Sequence, residues 1–178
     1  MAVSGFVKTS TSGSITLSDG TATPVTLTLA FDRGDLSISG LKEVLNEDVV
    51  IERRGRFVNV AHGNRIYPTF TFSCWVSQFN DSGTAPGNIL TWIQRTTGSA
   101  YAANVSTFGS GSSIPFACDV QYDLEGTDFG DSADHQIILN DCQLQIDSLV
   151  EAAEGMSLSV SGVVRGAVGG DLEMAEVA

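Results

Sequence analysis

The run from Arg65 to Gln78, RIYPTFTFSCWVSQ, carries the cleanest two-residue alternation in this chain of 178 residues. Ile66, Phe70, Phe72, Cys74 and Val76 fall on one parity, while Tyr67, Thr69, Thr71, Ser73 and Trp75 fall on the other. Successive side chains of a β-strand point to opposite faces, so the pattern predicts a strand with one face in a core and one in water. From Ile66 to Val76 it would run roughly 36 Å, about twice the usual length. A strand that long leaves edge groups to be covered, either by closure into a barrel or by neighbouring subunits. Pro68 has no N–H to give to a ladder, which places it near the start of the strand or on an open edge.

The same alternation recurs on both sides. Upstream, Ile15 to Leu17 form a short strand candidate, Asp19-Gly20 a turn, and Val25, Leu27, Leu29 and Phe31 alternate with polar or small residues. Arg33-Gly34-Asp35 turns the chain into a piece around Leu36 and Ile38. Residues 47–66 read as a long hairpin whose arms flank Arg53-Arg54-Gly55-Arg56, with Gly55 supplying the turn. Residues 100–106 are expected to form another strand. Downstream, Ile114, Phe116, Cys118, Val120, Tyr122 and Leu124 oppose Pro115, Ala117, Asp119, Gln121 and Asp123. A strand over 136–139 precedes another in which Cys142, Leu144, Ile146 and Val150 oppose Asp141, Gln143, Gln145 and Asp147. Glu154-Gly155 then turns the chain into residues 156–164.

One helix is expected over residues 85–97, with Pro86 near its start, Gly98 after its end, and Ile89, Leu90, Trp92 and Ile93 as an apolar stripe. At two to three turns it serves as a lid on a sheet. Residues 1–13 read as an extended arm and 167–178 as a tail. The expected fold is therefore mainly β: an antiparallel β-sandwich or barrel over 14–166 with one flanking α-helix, a long hairpin loop and extended terminal arms.

The formal net charge is −12, and it is unevenly spread. Residues 1–96 hold eight basic and eight acidic side chains, whereas residues 97–178 hold thirteen acidic ones and only Arg165. Such a field repels nucleic acid and excludes a protein that binds DNA by neutralising phosphates. Cys74, Cys118 and Cys142 each sit in an alternating apolar run, as buried free thiols do, and their spacing fits no zinc or redox motif. The opening residues lack the apolar core of a signal peptide, and no apolar run approaches a membrane span. Folding in a cytosol follows as the expectation, and the sequons at Asn80 and Asn104 then carry no weight.

Catalytic signatures are thin. His62 and His135 stand beside predicted turns without partners at metal spacing. Asp128-Phe129-Gly130 lacks every other part of a kinase, and Gly109-Ser110-Gly111 lacks the strand-to-helix setting of a dinucleotide loop. In the acidic loop 125–134, the order of Glu125, Asp128, Asp131 and Asp134 does not match a calcium loop. The expectation is no enzyme, no cofactor and no metal. The more informative feature is that several strands pair an apolar face with one of hydroxyls, amides and carboxylates almost free of lysine. Lysine is a common guard of exposed sheet edges, so its scarcity points to edges occupied by copies of the same chain.

This order of parts resembles the major tail tube protein of long non-contractile-tailed bacteriophages. The resemblance rests on the small-residue arm, the strand ending Asp32-Arg33-Gly34, the hairpin tipped by Arg-Arg-Gly-Arg, and the single helix before Gly98. It extends through the run from Ser106-Thr-Phe-Gly-Ser-Gly to Glu154-Gly155-Met-Ser-Leu-Ser-Val-Ser-Gly162. It implies a virion structural protein made in the host cytoplasm, whose hexameric rings stack head to tail. Four strands from each of the six subunits would close a 24-stranded barrel around a channel for genomic DNA. It further implies tape measure and tail-end proteins as partners. Contractile-tail and type VI secretion tubes are similar in fold and stay open as alternatives. On this reading Asp119, Gln121, Asp123, Gln143, Gln145 and Asp147 are candidates to line the channel. Arg53, Arg54, Arg56 and Arg65 are candidates to dock one ring on the next. A carbohydrate-binding β-sandwich using Tyr67, Trp75 and Trp92 as an aromatic platform is the alternative from another class.

Overall fold

A computed structural model describes residues 13–29, 36–76, 88–95, 97–111, 113–124, 133–152, 155–170 and 172. Of these residues 60% are strand and 5% helical, mainly β as the alternation predicts. The strands are β1 (Gly13–Ser18), β2 (Thr26–Leu29), β3 (Ser37–Ser39), β4 (Asn46–Arg53), β5 (Arg56–Arg65) and β6 (Thr69–Trp75). Helix α1 (Ile89–Gln94) follows, then β7 (Cys118–Leu124), β8 (His135–Ala152), β9 (Gly155–Val164) and β10 (Val168–Gly170). Apart from a separate β4–β5 hairpin, they form one antiparallel sheet in the order β2-β1-β7-β8-β9-β6-β3, with β10 also on β8.

The long strand is β8, not the run that first suggested one. Pro68 splits that run, because a residue without N–H cannot carry the ladder from β5 into β6. Instead, the two pieces expected over 136–139 and 141–150 fuse into 18 continuous residues. The first half of β8 pairs with β7, from Leu124↔His135 to Cys118↔Cys142, and the second half pairs with β9, from Cys142↔Val164 to Ala152↔Gly155. At the junction Asp141 adopts φ 55°, a left-handed conformation in mid-strand. Its N–H leaves the ladder and donates to Oδ1 of Asp119 at 2.9 Å. This bulge bends the strand and lets one element serve two layers.

The layers close over a single core. Ile15, Leu17, Leu27 and Leu29 from one end of the sheet order are buried in the same cluster as Phe70, Phe72 and Cys74 from the other. Strands so far apart in the order share a core only if the sheet curls to face itself, which makes a sandwich. Of the sandwich or barrel expected, the chain adopts the sandwich, and among the described residues β2 and β3 end the sheet order without pairing. Gly162 lies on the core side of β9 where any Cβ would run into the Phe70 ring, so the layer packs flush there.

The helix is shorter than the expected 85–97. Asn88 caps it, accepting from the Thr91 N–H at 3.0 Å while Thr91 Oγ1 accepts from the Asn88 N–H. Arg95 ends it at φ 46°. Six residues cannot hold a helix unaided, so packing does. Trp92 is fully buried and meets the Tyr101 ring edge-on at 4.8 Å.

The strand expected over 100–106 is a set of turns instead. Asp19 explains why. Its carboxylate is 3% exposed and accepts from the N–H groups of Thr21, Val25 and Val105 at 3.3, 2.8 and 3.1 Å, and from the Thr21 hydroxyl at 2.8 Å. One side chain thus ties the β1–β2 turn to a segment 86 residues away and uses donors that a ladder would need. The expected tail also begins with β10, whose pairing to β8 keeps residues 168–170 in the sheet. The N-terminal arm, up to residue 12, lies outside the described residues.

Burial pulls the Asp19 pKa up, but these hydrogen bonds outweigh it and hold the carboxyl below its ordinary 3.8. A depressed carboxyl stabilises the fold above the unfolded value and loses that contribution as pH falls through the folded one. Asp19→Ala should cost about 3 kcal/mol at neutral pH, through orphaned backbone donors. In urea melts the gap to wild type should shrink as pH drops below 3.8.

Candidate functional site

Two surfaces stand out, the polar outside of the sheet and the β4–β5 hairpin. Because the sheet curls, its outside consists of two faces pointing away from the core in different directions. On the first, Asp119, Gln121 and Asp123 of β7 alternate with buried Cys118, Val120 and Tyr122, as their parity predicts. They lie beside Ser18, Thr16 and Ser14 of β1. Gln121 Nε2 donates to Oδ1 of Asp123 at 2.8 Å, and Ser14 Oγ to its Oδ2 at 3.2 Å.

The second face belongs to a four-stranded layer made by β3, β6, β9 and the second half of β8. Across it run rows of small polar side chains. Ser37 faces Thr71, Thr71 faces Ser161, and Ser161 faces Gln145. Asp147 Oδ1 accepts from Ser161 Oγ at 2.9 Å and from Gln145 Nε2 at 3.2 Å. Gln143 Oε1 accepts from Arg165 Nε at 3.0 Å. The six lining candidates are therefore all surface polar residues, but the structure brings them together as two trios on two faces.

One parity assignment is corrected. A second irregularity in β8, between Ile146 and Ser148, puts Leu149 opposite core-facing Leu158 and Val150 opposite outward-facing Ser157. Val150, expected on the apolar side, is carried to the polar face. Beside it runs a long open edge. Beyond Cys142, the side of β8 away from β9 has no strand partner among the described residues.

The hairpin stands apart as its own two-stranded sheet. Arg54 and Gly55 sit at φ 53° and 72° between paired Arg53 and Arg56, the tight loop whose left-handed residues match the twist of the strands. Its three arginines are gathered at the tip. Arg65, the fourth docking candidate, lies at the root, where its Nη2 donates to the Gly166 carbonyl at 3.0 Å and anchors the hairpin to the body. Lys42 holds the same root, 2.8 Å from the Asp48 carboxylate and 3.2 Å from the Asn46 carbonyl. Between root and tip both faces carry exposed apolar side chains, including Val50 at 55%, Phe57 at 67% and Val58 at 56%. A lone hairpin is marginal in water, and this one presents what a core normally buries.

No platform forms from the aromatics proposed for sugar binding. Trp92 is buried, while Tyr67 and Trp75 stand just before the start and at the end of β6. Among the described residues no group of His, Cys, Asp and Glu is placed to hold a metal, and most of loop 125–134 lies outside them. Comparison with family models, curated proteins and solved structures finds no match.

Asp119 behaves opposite to Asp19. Burial first, and the nearby Asp141 carboxylate, raise its pKa above 3.8 despite the bond from the Asp141 N–H. A raised carboxyl destabilises the fold once pH climbs past the unfolded value. Asp119→Asn keeps an acceptor for that N–H and should match or exceed wild-type stability at pH 7. The advantage should vanish below 3.8, read by urea melts across pH.

Proposed function

We propose that this chain is a structural subunit that assembles into rings and stacked tubes, the tube of a phage tail being the machine it resembles. The observation that carries the proposal is the four-stranded layer of β3, β6, β9 and the second half of β8. Among the described residues it is open along the second half of β8, and it is coated outside with hydroxyls, amides and a carboxylate. Four strands is also the contribution that the tail-tube resemblance asks of each subunit. Six such layers joined edge to edge would give the open β8 edge a partner strand in the neighbour, and a barrel wider than porins holds a water-filled channel.

On this reading Gln143, Gln145 and Asp147 line the channel, with the serines and threonines beside them. Asp119, Gln121 and Asp123 face away from it. Along its strands the lining carries neither lysine nor arginine among the described residues. Tight DNA binding depends on cations that displace phosphate counterions, so such a wall lets a duplex slide. Transport without adhesion needs no catalytic group.

The hairpin completes the design. Its apolar flanks require cover on both sides, and its arginine tip would meet carboxylates of the acidic second half in the next ring. The contact is heterologous and therefore open-ended, as a tube requires. Negative-stain electron microscopy of concentrated protein should show six-fold rings or tubes with a central channel. Arg53→Glu with Arg54→Glu should leave rings but shorten or abolish tubes. Monomers at every concentration in sedimentation velocity would overturn the proposal.

A further inference from the structure

Arg165 is the only basic residue after position 96. It follows β9 and packs on Tyr67, just ahead of β6, with its guanidinium carbon 4.5 Å from the ring centre. Its Nε–H is taken by Gln143 at 3.0 Å. Arg65 stands 5.4 Å from the same ring. A ring and one hydrogen bond thus fix the plane of the Arg165 guanidinium. Among the described residues, nothing bonds or pairs with its two terminal amino groups. A fork held in place in this way has already given up much of its side-chain entropy, and its geometry matches a carboxylate bidentately.

Charge is also laid out along the four-stranded layer. The end where β6 begins and β9 finishes carries Arg165 and Arg65, beside the hairpin root where Lys42 is already paired with Asp48. At the opposite end, where β8 turns into β9, stands the exposed Glu151, with no ion-pair partner among the described residues. Identical subunits stacked head to tail bring opposite ends of this layer together. We propose that Arg165, held by Tyr67 and Gln143, is a receptor for a carboxylate of a second copy of this chain, and that Glu151 supplies it. The inference rests on the tube reading but assigns a contact separate from the hairpin, one that fixes register between stacked rings.

Sedimentation velocity on wild type, Arg165→Gln, Arg165→Lys, Glu151→Gln and the exchange Arg165→Glu with Glu151→Arg tests it. Each glutamine variant should raise the concentration for half-assembly about tenfold or more, as loss of a charge-assisted pair does. Combining the two should add little to either. Lysine should restore only part of the loss, and the exchange most of it. Glu151 is exposed, so Glu151→Gln decides the matter even where an Arg165 variant disturbs the packing on Tyr67. Wild-type assembly by Glu151→Gln, or additive losses, would overturn this contact and leave the tube reading standing. A wild type that never assembles would overturn both.

Discussion

Every strand edge must place its N–H and C=O groups somewhere, and β8 is too long for its neighbours to do so. β7 covers one side of it only as far as Cys142, while β9 and β10 share the other. What remains, among the described residues, is a lysine-poor edge over residues 143–152 beside a polar face. In a monomer such an edge invites aggregation, whereas in a closed ring it is the joint. The curled sandwich, the open layer and the proposed channel all follow from that one surplus of strand.

The bend that makes this possible is fastened locally. Asp141 turns left-handed, Asp119 takes its N–H, and Gly166 lies where a Cβ would strike Asn140 and Asp141. Beneath them Cys142 donates to the Leu139 carbonyl at 3.2 Å. Burial pushes the Cys118 thiol up to about 12 and Cys142 well above its usual value, so both serve as small core groups.

Much of this was legible in the sequence where period and environment agree. The alternation of Phe70, Phe72 and Cys74 with threonines and serine appears unchanged in β6, as does that of Val120 and Tyr122 with Asp119, Gln121 and Asp123 in β7. Arg54-Gly55 announced its turn. Features that depend on distant partners were hidden. Nothing near Ala100 shows that Asp19 will take the Val105 N–H, and nothing near Val150 shows that a bulge will reverse its face. The division of the six polar candidates between two faces follows from the curl of the sheet, which no single strand encodes. Arg165 carried a signal that went unused, as the sole cation in an acidic half.

The open edge can be watched directly by hydrogen–deuterium exchange on dilute and assembled protein. Amides of residues 143–152 that point away from β9 should exchange fast in the dilute subunit and become protected on assembly, together with those of residues 37–39 at the far side of the layer. Assembled particles in which both edges still exchange as fast as in the free subunit would contradict the account.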